Sequence, residues 1–312
     1  MLEKRYIYRR MQDEFTKTFY GEIAPKIKKF EFKRICNLTI TIILASMTIL
    51  AALLIVYTSL SNYGYCSDEE IMSVLLSFLI AFSICHISKN MIENEIKDII
   101  MPTICKCFGN LEWDRNSYDS SSLFSIAKII DDYDCAKFDD IFYGNFNGIN
   151  FDIVESKFTK GSVNKRGKTV FDGVIVKFDM NKCFNGHTII RPNSHLHTSP
   201  SPILKHTELE DVDFEKRFDV FTDDEVEARY LITPSFMERL NEMQVAFKAD
   251  KVSCAFYNKY LFVALHTSKD LFSIGSLFKR VDDPKQFFTM FEEILSIIKL
   301  IDHFKLNQKI GL

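Results

Sequence analysis

The sequence predicts an α+β protein: an N-terminal transmembrane helical hairpin, then a mainly antiparallel β domain of about seven strands with packed helices and a C-terminal helix. Three observations lead there. Two apolar runs, Ile35 to Leu60 and Ile71 to Ser88, contain no Asp, Glu, Lys or Arg, and only Ser61 to Glu70 separates them. From Phe142 onward the hydrophobic period changes to two, with Asn-Gly punctuation between the runs. From Phe287 the period becomes helical again.

At about 1.5 Å rise per residue, the first run crosses a hydrocarbon core of about 30 Å with tilt to spare, and the second sits at the short end of the usual range. The flanks set the orientation. The first 34 residues carry ten Lys or Arg, whereas the connecting segment has none and is acidic at Asp68, Glu69 and Glu70. The basic side is therefore expected in the cytoplasm, with the short loop and Cys66 outside and everything from Lys89 onward returned to the cytoplasmic side. A cleaved signal peptide would have a shorter apolar stretch, about 7 to 15 residues, behind a short basic start. The expected location is the plasma (inner) membrane, multi-pass. The expected divisions are a basic segment over 1–34, the hairpin over 35–88, a helical stalk and linker over 89–135, and a cytoplasmic α+β domain over 136–312.

About 220 of the 312 residues follow the hairpin, enough for one sizeable domain. The net charge of −3 gives no global field that would attract nucleic acid. The basic excess is confined to the N-terminus, where such a cluster both signals topology and can touch anionic lipid headgroups. The eight cysteines show no disulfide-framework spacing and suit a reduced compartment. Cys105 and Cys107 form a single Cys-x-Cys without a second pair, and no cofactor or metal is predicted.

The elements follow in order. Met91, Ile92, Ile96, Ile99 and Ile100 keep a helical period up to Pro102, which extends the second span into a stalk. Asn116 to Ser122 reads as linker and Leu123 to Ile130 as a short helix ended by Asp131, Asp132 and Asp134. Asn147-Gly148, between Phe142–Phe146 and Ile149–Ile153, is a strong hairpin signal, because a type I′ turn needs positive φ at both central positions. A second Asn-Gly, Asn185-Gly186, lies between the strand-like Val170–Phe178 and His187–Ile190. Val212, Phe214, Phe218 and Val220 alternate with charged residues and predict a half-buried strand. Val252–Tyr257 and Tyr260–His266 predict a hairpin across Asn258-Lys259. Thr222 with Glu225 has the spacing of a capping box ahead of Val226–Ile232, and Thr233-Pro234 restarts the helix with Pro at its first position. Phe287, Phe291, Ile294, Ile298 and Ile301 give the C-terminal helix an apolar face for the sheet. Seven strands and a final helix are similar in number to the pleckstrin-homology superfold, a likeness that assigns no ligand.

Several blocks carry a family resemblance: Gly144-Asn-Phe-Asn-Gly148-Ile-Asn-Phe with Glu155, Phe171-Asp-Gly173 leading to Phe184-Asn-Gly-His-Thr188, Phe214-Glu-Lys-Arg-Phe218-Asp-Val, and Glu227-Ala-Arg-Tyr-Leu-Ile-Thr-Pro234 followed by Phe236-Met-Glu-Arg-Leu240. On these the chain resembles the bacterial domain of unknown function 3137 family over roughly residues 90 to 270, with Ile232 where that run usually has a second Leu. The resemblance implies two N-terminal spans with a cytoplasmic domain, and no activity.

Three sets of residues invite a chemical reading. Gly167-Lys168-Thr169 is the tail of a phosphate-binding loop, but the required first glycine would fall at Ser162, and Thr169 opens a strand where a P-loop opens a helix. His195 and His197, with His187 and His206, could supply imidazoles to zinc, but Arg191 to Pro202 holds three prolines and three serines and reads as a surface loop. Glu227, Arg229 and Tyr230 are the candidate binding or structural residues. Arg229 is expected to be a partly buried fork tying its helix to the sheet, paired with Glu225 at i, i+4. No Ser-His-Asp, HExxH or dinucleotide signature occurs, so catalytic residues are not assigned. The expected function is a membrane-anchored cytoplasmic interaction or scaffolding module with an unknown protein partner; the alternative is a membrane-bound enzyme using Glu227 and Arg229.

Overall fold

The computed structural model describes residues 2–63, 68–115, 117–161, 167–180, 182–194, 198–267, 269, 271–275 and 280–303. Cys66, Ser162 and the His195-Leu196-His197 pair lie outside the described residues. The chain forms two compact units, Met1–Cys107 with Ser273–Met290, and Phe108–Phe272 with Phe291–Leu312.

The first unit is helical. Helix α1 (Leu2–Thr18) passes through one π-helical turn at Phe19–Ile23 into α2 (Ala24–Tyr63), and α3 covers Asp68–Lys106. The basic N-terminal segment is amphipathic: Phe15, Phe19, Ile23, Ile27 and Phe30 are buried, while Arg9, Arg10, Lys17, Lys26, Lys28 and Lys29 face outward. Phe15 meets Phe288 edge-on at 5.0 Å, and Phe19 lies 5.5 Å from Phe287. Both partners lie in the first turns of α8 (Pro284–His303). Glu31 and the buried Arg34 form a two-pronged pair, and the Glu31 carboxylate also accepts the Val281 N–H at 2.9 Å. The bond from Arg34 holds the Glu31 carboxyl below its ordinary range. Helices α2 and α3 pack on each other, and Lys33 near the start of α2 pairs with Glu95 toward the end of α3. Pro102 lies inside α3, so the helix continues one turn beyond the stop expected there.

Along the charge-free part of α2, large apolar side chains point outward over most of the helix, among them Ile40, Ile42, Met47, Ile49, Leu53 and Tyr57, while Thr41, Ala52 and Ser59 on the remaining side are buried. Among the described residues one helix, spanning Tyr6–Asn62, is long and apolar enough to cross a membrane; Ile71–Ile84 of α3 is a shorter apolar stretch. The hydroxyls in these runs are satisfied within their own helices: Thr39 donates to Ile35 O, Thr41 to Asn37 O and Ser83 to Leu79 O, each at 2.8 Å.

The second unit is built on one antiparallel sheet of nine strands in the order β1-β2-β3-β4-β9-β8-β5-β7-β6. The strands are β1 (Leu111–Asp114), β2 (Cys135–Phe146), β3 (Ile149–Lys160), β4 (Lys168–Asp179), β5 (Thr188–Pro192), β6 (Lys205–His206), β7 (Phe218–Thr222), β8 (Lys251–Tyr257) and β9 (Tyr260–His266). Nine replaces the expected seven, and the likeness to a seven-stranded superfold lapses with it. The two additional strands are the sheet edges β1 and β6, of four and two residues, too short to show an alternating pattern. The β2–β3 and β8–β9 hairpins stand where expected, with Asn147, Gly148 and Asn258 at positive φ.

Other expectations are corrected. Residues 212–215 are a turn of helix, α5 (Val212–Glu215), capped by Asp211, whose carboxylate accepts the N–H of Asp213 and Phe214. This local capping outweighs the two-residue alternation, and the strand begins only at Phe218. The second Asn-Gly does not close a hairpin: β4 pairs with β9, and β5 with β7 and β8. Helix α6 (Glu225–Leu231) is capped by Asp224, which accepts the Glu227 N–H at 2.9 Å; Thr222 instead bonds the Asp224 N–H at 3.1 Å. Helix α7 (Pro234–Ala246) starts as predicted, with Thr233 accepting from Phe236 N. Tyr118, within the stretch expected as linker, belongs to the core, and a short helix forms where one was expected after it. Around a 3₁₀ turn at Asp119–Ser121 and the short α4 (Ser122–Ile126), the residues Tyr118, Phe124, Ala127, Ile129 and Ile130 pack with Ile141, Val154, Ile175, Ile189 and Phe262 on one sheet face. On the opposite face, Phe256 of β8 meets Phe236 of α7 at 5.5 Å and Phe184 at 5.3 Å.

Candidate functional site

The three residues singled out by sequence share α6 but not a site. Glu227 is buried, and its two carboxylate oxygens accept the backbone N–H of Asn185 at 3.0 Å and of Gly186 at 2.7 Å. Arg229 is exposed and has no hydrogen bond or ion pair among the described residues, so the expected buried fork and its pairing with Glu225 are absent. Two positions apart at about 100° per residue, Glu227 and Arg229 leave the helix on opposite sides. Arg229 instead lines a shallow groove of about 580 Å³ with Glu210, Asp211, Asp213, Pro234 and Met237. Tyr230 is half exposed. The Glu227 contact joins two blocks of the resemblance, the Phe-Asn-Gly-His turn and the Glu-Ala-Arg-Tyr helix, and fixes the loop into which His187 falls. The His187 ring sits 2.9 Å from Ala127 O, and burial lowers its pKa.

A different constellation forms at one end of strands β4, β9, β8, β5 and β7. Antiparallel register sets Arg191 opposite Asp219, Lys251 opposite His266 and Lys160 opposite Lys168. Two adjoining cavities of about 400 and 620 Å³ open here, sharing Asp131, Arg191, Ser199 and Lys251 in their walls. The Arg191 guanidinium donates from Nη1 to Asp131 Oδ1 at 2.7 Å and from Nη2 to Lys128 O at 2.5 Å, while its buried Nε has no partner. Asp219 is buried, accepts from Ser194 N at 3.1 Å, and has His206 Nε2 at 3.7 Å. Burial, reinforced by the Lys251 charge, pushes the His266 pKa down to about 4, so the imidazole is neutral near neutral pH. The larger cavity is rimmed by Lys128, Lys160, Lys168, Arg191 and Lys251 against Asp131 and Asp132.

Sequence reasoning missed this cleft because its members come from five separated stretches of chain, within 128–132, 160–170, 191–200, 219–221 and 251–266. Arg191 and Pro192 end β5, although the sequence assigned them to a surface loop. One signal was present: from Lys160 to Lys168 the chain has four cations and no acidic residue.

A long apolar N-terminal helix and an α+β domain on an antiparallel sheet define the general class. Residues 169–306 match the family described as "Protein of unknown function (DUF3137)". No curated protein matches the chain. Among solved structures, the mycobacterial trehalose monomycolate transport factor A, TtfA, is similar at 9% identity and a TM-score of 0.36, over 64% of this chain and 90% of that one.

Proposed function

We propose that the protein is a membrane-anchored cytoplasmic binding module, held by two spans over 35–60 and 71–88 in the plasma (inner) membrane, with its N-terminus and the sheet unit on the cytoplasmic side. The observation that carries this reading is the charge-free stretch of α2, whose large apolar side chains face outward over most of its circumference, leaving one narrow side with Thr41, Ala52 and Ser59 buried. A helix on a soluble core buries its apolar stripe and turns polar residues outward, and a helix whose outward faces are apolar needs an apolar surrounding. The antiparallel packing of α3, with Lys33 and Glu95 pairing beyond the runs, supports a second span. Ten basic residues ahead of the first run and none in the loop support the orientation. The outward Arg9, Arg10, Lys17, Lys26, Lys28 and Lys29 are free to meet anionic headgroups at about 1 kcal/mol each near the surface.

Binding is favoured over catalysis by Glu227 and Arg229, because both oxygens of Glu227 already hold the 185–186 backbone and Arg229 points away from it. The cleft at the strand ends is where the module takes its ligand. A membrane-impermeant maleimide on intact cells tests the arrangement: Cys66 should be labelled, and exposed Cys183 only after permeabilisation. Cys254 is buried and uninformative. Labelling of Cys183 in intact cells would sink the topology.

A further inference from the structure

We propose that the cleft at the ends of β4, β9, β8, β5 and β7 binds a phosphate group, carried by a soluble phosphorylated compound or by a phospholipid headgroup, with Lys160, Lys168, Lys251 and Arg191 as its cationic partners. This rests on the binding-module reading and names the ligand class for its site. The first support is an unbalanced charge. Five cations rim the larger cavity against two carboxylates, and Lys160, Lys168 and Lys251 have no ion-pair partner among the described residues. The second is a cost built into the sheet. Lys160 and Lys168 are direct cross-strand partners, and directly opposed like charges, with Cβ atoms roughly 5 Å apart, destabilise a strand pair. An anion between them converts that repulsion into two attractions.

The third support is donor capacity. Arg191 spends Nη1 and Nη2 on Asp131 and Lys128 and its Nε is closed to solvent, so it adds positive charge to the wall while Lys160, Lys168 and Lys251 hold the open donors. Thr169 and Thr198 add hydroxyls to the walls, whereas the Ser199 hydroxyl is already donated to Ser201 O and Leu204 O. A phosphate, with its several acceptor oxygens and up to two charges, matches more of these donors than a carboxylate does. Cavities of about 400 and 620 Å³ suit a small molecule or a headgroup. His266 supplies an internal reporter. It faces Lys251, Arg191, Asp131, Asp250 and the Phe171 ring, and an anion beside Lys251 offsets the repulsion that helps keep its imidazole neutral.

The test titrates the full chain, in phosphatidylcholine nanodiscs, with inorganic pyrophosphate by calorimetry. One saturable site is expected, weakened at least about tenfold by Lys168→Gln and by Lys251→Gln, since each removes a charge-assisted hydrogen bond. Lys259→Gln, in the β8–β9 turn at the opposite strand ends, should leave binding unchanged. Without ligand, Lys168→Gln should melt at or above wild type, which separates lost binding from lost folding. The His266 pKa followed by NMR should rise on adding pyrophosphate. Vesicles containing phosphatidylglycerol then identify the source: displacement of pyrophosphate points to a headgroup, and no displacement to a soluble phosphate. Absence of saturable pyrophosphate binding, or equal weakening by Lys259→Gln, overturns the proposal. Thiol labelling decides the topology independently, so failure of either reading can be told from failure of the other.

Discussion

The chain uses the dipeptide Asn-Gly twice, and the two copies are held by different physics. At Asn147-Gly148 both residues have positive φ, 52° and 81°, and nothing lies within 4 Å of where a Gly148 side chain would start. The turn is a local object that links two strands paired from its first flanking residues outward. At Asn185-Gly186 neither residue is in the left-handed region, and a Cβ on Gly186 would stand 2.7 Å from Asp224 Cβ and 2.8 Å from Asp223 Oδ1. Here glycine is required for close approach, and the geometry is imposed from outside by the Glu227 carboxylate, more than 40 residues later in the chain. One copy is legible from its neighbours in sequence; the other acquires its role only when α6 docks beside it.

The largest expected effect comes from removing what holds the second copy. Glu227→Ala leaves the Asn185 and Gly186 N–H groups without their acceptors, and such charge-assisted bonds carry roughly 1.5–3 kcal/mol each, part of which water recovers. The full chain should lose about 2–4 kcal/mol of stability in denaturant unfolding, whereas a loss below about 1 kcal/mol would show that the loop does not depend on that carboxylate. Substituting the glycines sharpens the contrast. Gly148→Val places a β-branched residue at positive φ and should cost about 1–3 kcal/mol, while Gly148→Asn, which tolerates that region, should cost less than about 1 kcal/mol. At Gly186 the obstacle is contact, so Asn should be no better tolerated than Ala, each costing about 1–3 kcal/mol through displacement of the residues that cap α6. Rescue by Asn at 186 would erase the distinction.

The same divide between local and distant determinants explains what the sequence made legible. The seven longer strands, both hairpin turns at Asn147-Gly148 and Asn258-Lys259, the Thr233-Pro234 start and the C-terminal helix all follow from spacing and capping within a few residues. The edges β1 and β6 were missed because two to four residues cannot display a period. Residues 116–122 read as linker because Asn, Ser and Asp dominate that segment, where Tyr118 is the one aromatic that enters the core. Helix α5 was misread because Asp211 caps a turn that alternation alone would make extended. The cleft was hidden more deeply. Arg191, Asp219, Lys251 and His266 meet only through the register of β5, β7, β8 and β9, and the order of those strands is a property of the whole sheet.

Arg229 gives the smallest expected effect and the sharpest use of the comparison. Sequence spacing assigned it a structural role beside Glu225, which would make its loss as costly as breaking a buried pair, about 3–5 kcal/mol. In the structure the residue that ties α6 to the rest of the unit is Glu227, two positions earlier, and Arg229 faces outward with no partner among the described residues. An exposed, unpaired side chain contributes less than about 1 kcal/mol. Arg229→Ala and Arg229→Lys should therefore both melt within a few degrees of wild type, given roughly 2–4 °C per kcal/mol for a unit of this size. Since Arg229 lines a groove with Glu210, Asp211 and Asp213, its charge lies among opposite charges at the surface, and any residual effect should shrink further in high salt. A drop of 3 kcal/mol or more on Arg229→Ala would mean that the guanidinium is engaged, and that α6 is held by both sides instead of by the Glu227 contact to the second Asn-Gly alone.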